Sequence, residues 1–233
     1  MLYWISHGNS LPEDALYIFK KTFTGNKGGK FTARISADTR YKLYVNGVLA
    51  SVGPCKGTDF TAYYETVELS PYLIGGENEI TAKVLYLGGR VTGVPASLMS
   101  VTRKSCPAFM FDGELTVGGK TRKIVSDSTW QVCVDKGVSI EKPVFSSFAA
   151  LNEKASFYEK QFIPAVEIEA CNIDNNCHNP YGELDTYMLK ERTIPPLYIG
   201  GDEELTDGAK IPANSKQTLI LDAGKLVTSY FFC

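Results

Sequence analysis

The chain has 233 residues, 44% of them hydrophobic and 12% aromatic, enough for one large β domain or one domain and a piece of another. Its net charge of −2 and the lack of any long basic run argue against nucleic acid as a partner. No apolar run is long enough to span a bilayer, and Met1-Leu-Tyr-Trp4 has neither the basic nor the apolar stretch of a signal peptide, so a cytoplasmic location is expected.

Taken in order, Tyr3-Trp4-Ile5 reads as a short opening strand, followed by a polar loop through Pro12. Leu16–Phe23, with aromatic residues at 17, 19 and 23, reads as the next strand. Gly25-Asn26-Lys27-Gly28-Gly29 is a turn; it has the glycines of a phosphate loop but not the GxxxxGK[ST] spacing. Lys27 and Lys30, like Arg122 and Lys123 further on, read as solvated turn residues.

From Phe31 to Tyr86 the chain is written in period two. Phe31, Ala33 and Ile35 alternate with Thr32, Arg34 and Ser36; Tyr41, Leu43 and Val45 with Lys42, Tyr44 and Asn46; Ile80, Ala82 and Val84 with Thr81, Lys83 and Leu85. Strict alternation puts one set on each face of a pleated strand, which makes these half-buried antiparallel strands. Asn46-Gly47 is a hairpin signal, because a type I′ turn needs positive φ at both central residues. Ser70-Pro71 reads as an N-cap followed by proline at the first helical position, hence one short turn. Gly75-Gly76-Glu77-Asn78 returns the chain into the next strand.

A glycine-rich loop from Leu87 to Pro95 precedes a strand at Ala96–Thr102. Phe109–Val117, Thr121–Ser126 and Trp130–Val134 supply closing strands, with turns expected at Asp112-Gly113 and Gly118-Gly119. Many short strands at this spacing mean an all-β sandwich over residues 1–135. From 136 to 214 the period is lost, which predicts an irregular extension with a short helix within Phe148–Tyr158 and a proline-rich linker at Arg192–Leu197. Residues 215–233 again form strands. They either open a second β-sandwich or fold back as the last strand of a single domain; an uncovered apolar terminus would be an edge liability.

These motifs together resemble a known family. R-x-S-A-D-x-R-Y-x-L-Y-V-N-G at 34–47, G-P-x-x-G at 53–57, the tyrosine pair at 63–64 before x-V-x-L-S-P-Y-L and G-x-N-x-I at 76–80 are similar to the jelly-roll (galactose-binding-domain-like) module of bacterial α-L-rhamnosidases. F-K-K-x-F at 19–23, S-D-x-x-W at 126–130, N-P-Y-G-E at 179–183, R-T-I-P-P-L at 192–197 and L-D-x-G-K-x-V-x-x-Y at 221–230 extend the resemblance. It implies the N-terminal portion of a modular glycoside hydrolase, whose catalytic carboxylates belong to a six-hairpin (α/α) barrel beyond residue 233. That barrel is the partner expected in the same protein. Cys55 and Lys56 depart from the family's G-P-A-R, and Ser229 stands where a glycine precedes the tyrosine. Without the resemblance, the same strands would suit a free-standing lectin-like module or a structural domain of a β-galactosidase-type hydrolase.

Glycoside hydrolysis needs two carboxyl groups across one bond. The 26 acidic residues form no such constellation, and His7 and His178 have no Ser or Cys partner in sequence, so no catalytic residue is assigned. Six cysteines lack CxxC spacing; Cys171 and Cys177-His178 fall short of a four-ligand zinc site and read as free thiols. Strand parity gathers three loops at one end of the sandwich, end X, carrying Asp38, Arg40, Lys56, Asp59, Tyr63 and Arg90 as candidate sugar contacts. Aromatic faces, arginine forks and carboxylates suit a sugar ring and its hydroxyls. The same residues also read as plain scaffold: Arg40 beside Asp38 on a surface, and one of Tyr63 and Tyr64 in the core. No cofactor is required, although Asp38 and Asp59 with loop carbonyls would offer a calcium ion oxygen ligands.

Overall fold

The computed structural model describes residues 1–8, 14–57, 61–87, 106–141, 150–153, 159–171, 173, 188–196 and 212–216. By contact the chain divides into two units, Met1–Pro195 and Pro196–Cys233, and every described strand lies in the first.

Strands appear where alternation predicted them: β1 (Tyr3–Ser6), β2 (Ala15–Gly25), β3 (Lys30–Asp38), β4 (Arg40–Val45), β5 (Val48–Gly53), β6 (Thr61–Glu68) and β7 (Gly76–Tyr86). Then come β8 (Ala108–Val117), β9 (Lys120–Val125), β10 (Gln131–Val134), β11 (Val138–Glu141), β12 (Ala150–Glu153), β13 (Ile163–Pro164), β14 (Val166–Ala170) and β15 (Met188–Glu191). The structure is all-β, with no helix among the described residues long and apolar enough to cross a membrane. One sheet runs β14-β1-β8-β3-β6-β15, with β9 also on β8; the other runs β13-β10-β2-β7-β4-β5; β11 and β12 pair separately.

The two large sheets close a single core between their inward faces. Tyr17 and Phe19 of β2, Leu43 of β4 and Ile80 and Val84 of β7 meet Phe31 and Ile35 of β3 and Phe109, Phe111 and Leu115 of β8. Trp130 stands at the centre, its ring 5.4 Å from both Phe109 and Phe111, and its indole N–H donates to the Val125 carbonyl at 2.7 Å. Each such side chain contributes about 1.5–3 kcal/mol on burial. Ser126, four residues earlier, stitches two strands: its hydroxyl donates to the Tyr3 carbonyl at 2.5 Å and accepts from the Phe111 N–H at 3.1 Å.

Several details differ from the sequence expectation or add to it. Asp112-Gly113 is not a turn; β8 passes straight through it. A Cβ at Gly113 would lie 2.7 Å from the Phe111 ring and 2.8 Å from the Phe31 ring, so glycine is there for close packing. Ser70 is not an N-cap; it sits inside a 3-10 turn over Ser70–Tyr72, and its hydroxyl accepts the Phe31 N–H at 2.7 Å. β3 and β4 meet at Thr39 but belong to opposite sheets, so the chain crosses the sandwich there. Part of the predicted helix at Phe148–Tyr158 is strand β12, paired antiparallel with β11. Residues beyond 135 also enter the large sheets: β13 on β10, β14 on β1, and β15 parallel to β6. Edge pairing of this kind leaves no strong periodicity where neither face is buried, as in β14, which is exposed at every position. The strand expected at Ala96–Thr102 and the segment 217–233 lie outside the described residues.

The Asn46-Gly47 turn forms with φ of 51° and 81°, as predicted. Its asparagine has a second task. The Asn46 amide donates to Asn78 Oδ1 and to the Tyr72 carbonyl, both at 2.8 Å, while its own oxygen accepts the Glu79 N–H at 2.9 Å. Asn78, only 1% exposed, accepts the Ile74 N–H and donates to the carbonyls of Ile74 and Gly76. Two motifs distant in sequence thereby satisfy one buried polar junction. Asn78→Ala leaves several of these groups unpaired, and a urea titration is expected to show a loss of about 2–4 kcal/mol; a loss below about 0.5 kcal/mol would mean that the junction contributes nothing.

Candidate functional site at one end of the sandwich

The strand registers build end X as parity predicted. β3 ends at Asp38, β4 begins at Arg40 opposite Leu85, β5 ends at Gly53 opposite Tyr41, and β6 begins at Thr61. β7 ends there at Tyr86 opposite Ala15, and β8 begins at Ala108 opposite Asp38.

The six predicted residues are not brought together equally. Asp38, 4% exposed, and half-buried Tyr63 line one small depression with Trp4, Ser36, Pro54 and Cys55. Its volume of about 10 Å³ matches one water molecule, not a sugar ring. Arg40 is exposed on the outer face of the six-stranded sheet, in step with Lys42 and Tyr44, and Lys56 is exposed in the loop after β5. Asp59 and Arg90 lie outside the described residues. Tyr64 packs on the outer face, against the cluster of Trp4, Ala108 and Met110, while half-buried Tyr63 shares the inward face of β6 with Glu65 and lies outside the central cluster. Trp4 reaches this depression only because β1 lies beside β8, a neighbour relation that its local sequence does not contain.

Sequence reasoning missed the most strongly held charge at this end. Glu65 stands opposite Ile35, whose side chain is in the core, so its carboxylate enters the sandwich interior. It accepts the Cys55 N–H at 2.7 Å and Arg192 Nη1 at 3.0 Å; the two charged side chains are 6% and 11% exposed. A Cβ on Gly53 would come within 2.8 Å of the Glu65 side chain, so glycine opens the space for it. Arg192 also donates through Nε to the Ile194 carbonyl at 2.9 Å and through Nη2 to the Pro195 carbonyl at 2.8 Å, while its N–H bonds the Tyr64 carbonyl. The guanidinium fork thus ties the proline-rich segment to β6.

Several buried groups titrate abnormally, and one of them, Tyr41, lies beside this pair. Burial pushes the Tyr41 phenol far above its ordinary value, helped by the Glu65 charge. Burial, with Asp38, Cys106, Tyr17 and Asp14 nearby, pushes Tyr86 up to about 12. Burial likewise pushes Cys133 up to about 11, which makes it an unreactive thiol. Cys55, Cys106, Cys133 and Cys171 are free thiols; Cys177, His178 and Cys233 lie outside the described residues. Among the described residues, no three His, Cys, Asp or Glu side chains converge to hold a metal, so these residues do not build a calcium cage. The acids of the described ion pairs face cations: Glu65 faces Arg192, Asp112 faces Arg34, Glu79 faces Lys20 and Asp135 faces Lys160.

No family model matches the chain, and no curated protein matches it. Among solved structures, a rhamnosidase of Bacillus sp. GL1 matches with a TM-score of 0.59 at 20% identity, over 84% of this chain and 20% of that one. The fold of this chain occurs in rhamnosidases. The α-L-rhamnosidase from Dictyoglomus thermophilum matches with a TM-score of 0.56 at 14% identity, over 84% and 22%. A lectin of Pleurotus ostreatus matches more loosely, with a TM-score of 0.45 at 18% identity, over 80% and 45%. The chain spans about a fifth of the length of the two rhamnosidases it matches.

Two measurements test the energetics of this end. Arg192→Met strands the Glu65 carboxylate in the interior, and urea unfolding is expected to report a loss of about 3–5 kcal/mol, with the Glu65→Leu/Arg192→Met double variant recovering much of it. The raised phenol of Tyr86 predicts alkaline instability. Folded and unfolded chains bind the same proton below the ordinary value of 10.0, whereas the folded chain keeps it up to about 12, so stability falls as pH rises through that window. Tyr86→Phe is expected to flatten this part of the stability–pH curve, and an unchanged slope would assign it elsewhere.

Proposed function

We propose that the chain is the non-catalytic β-sandwich portion of an α-L-rhamnosidase-like glycoside hydrolase that acts on rhamnose-containing glycans. The observation that carries this reading is the coverage: most of this sandwich aligns with only about a fifth of each rhamnosidase. In this reading catalysis belongs to an (α/α) barrel further along the parent protein, and residues 215–233 open a second sandwich on the way to it. The chain's own task is scaffolding. Arg192, held by Glu65 and bonded to the carbonyls of Ile194 and Pro195, gives the departing chain a defined start.

Sugar contact is the second part of the proposal. Arg40 and Lys56, exposed at end X, and half-buried Tyr63 would meet a sugar at the loop surface, with Asp59 and Arg90 on the same loops and Asp38 holding the base. The small depression supports surface contact over enclosure, so affinity for a single L-rhamnose is expected on the order of millimolar. Titration of the protein with L-rhamnose, with and without calcium, is expected to give a saturable shift that Arg40→Ala and Tyr63→Ala weaken. No shift at any concentration removes the sugar-contact part. The scaffold part is tested separately by sequencing the parent gene past the codon for Cys233: several hundred further codons for a helical barrel are expected, and an immediate stop overturns the hydrolase reading.

A further inference from the structure

End X is not the only end with charged groups facing inward. β9 keeps the alternation of a strand, but its inward set changes character along its length. Ile124, opposite Gly113, is buried in the core. Arg122, opposite Leu115, and Lys120, opposite Val117, continue the same face. Two cations therefore occupy register positions whose cross-strand partners are apolar and inward-facing. Neither has a carboxylate partner among the described residues. Arg122 instead donates through Nη2 to the Thr24 carbonyl on the opposite sheet and spans the mouth of the sandwich.

Beneath them lies a hollow of about 240 Å³, with Leu115 and Val117 as its apolar floor and Thr24 and Thr121 beside the cations. A second basic turn abuts it. Gly29 packs so closely on the end of β8 that a Cβ there would lie 3.1 Å from Val117 Cγ2 and 3.2 Å from the Thr116 carbonyl, which brings the turn carrying Lys27 alongside. Each turn taken alone is a pair of solvated lysines or arginines. Folded, Lys120 and Arg122 line one hollow, where low-dielectric walls concentrate their field.

We propose that this hollow binds an acidic sugar, a uronic acid unit of a glycan. The volume suits one ring, and half-buried Val117 suits the C–H face of that ring. The Arg122 fork with the Lys120 ammonium suits its carboxylate. The site lies at the end of the sandwich opposite Asp38 and Tyr63, because β2 and β8 finish there, at Gly25 and Val117. It therefore does not rest on the sugar contacts proposed for end X.

The test is calorimetric titration of the 233-residue protein with tri-galacturonate, with the neutral galactose trisaccharide and with inorganic phosphate, at low and high salt. The expected result is saturable, salt-sensitive binding of tri-galacturonate alone. The exposed double variant Lys120→Gln/Arg122→Gln is expected to weaken it at least about tenfold. Near-ultraviolet dichroism checks that the variant remains folded, and Lys136→Gln, at an exposed cation that lines neither site, is expected to leave binding unchanged. Absence of saturable binding, or binding unaltered in the double variant, overturns the site. Phosphate bound as tightly as tri-galacturonate, or the neutral trisaccharide bound equally well, overturns the assignment to an acidic sugar.

Discussion

The burial of two inward strand faces against each other is the constraint on which the rest of the structure depends. β2, β4 and β7 on one side and β3 and β8 on the other give up every second side chain to a shared interior, with Trp130 between Phe109 and Phe111 at its centre. Aromatic side chains dominate because each removes a large apolar area from water while keeping defined edge and face contacts. Gly113 follows from the same requirement: the rings of Phe31 and Phe111 leave no room for a Cβ beside them.

A dry interior of this kind tolerates polar atoms only where they are partnered. The places where polar groups enter it are accordingly the most specific features of the molecule. Asn46 and Asn78 close one end: Asn46 donates to the Asn78 side-chain oxygen, and both bond turn backbone. Glu65 enters near the other end, and its charge is met by the Cys55 N–H and by Arg192. A buried ion pair adds little net stability over an apolar pair of the same shape, but losing one member is costly, so it specifies an arrangement more than it strengthens one. What it specifies here is where the proline-rich segment leaves β6.

The two ends differ in chemistry. End X combines a small depression, buried Asp38 and phenols raised by burial, whereas the other end has an open hollow with cations over an apolar floor. Their separation follows from strand length: β2 runs from Ala15 to Gly25 against β7 without a break in register and holds the two ends apart. Substitutions at one end are therefore independent tests of that end.

How much was legible beforehand depends on the range over which each signal acts. Alternation is local, so β2 to β7, the Asn46-Gly47 turn and the all-β class could be read from neighbouring residues alone, as could the gathering of loops at end X from counting strand directions. The sequence by itself thus determined the sandwich, the Asn46-Gly47 turn and the end at which the strands β3 to β7 start and finish. It could not show that Glu65 faces inward or that Arg192 answers it, because they are 127 positions apart and meet only when β15 adds to β6. The strands β13, β14 and β15 were equally hidden, since an edge strand takes its conformation from the backbone it pairs with more than from its own side chains. Likewise Asp112-Gly113 looked like a turn until the rings of Phe31 and Phe111 gave the glycine another reason. Only the tertiary structure decided these points, and it alone brought Lys120 and Arg122 over Leu115 and Val117 at a mouth shared with β2. Pairing across sheets is a property of the assembled interior, where a side chain's partner is chosen by proximity in space and by the cost of leaving it unsatisfied.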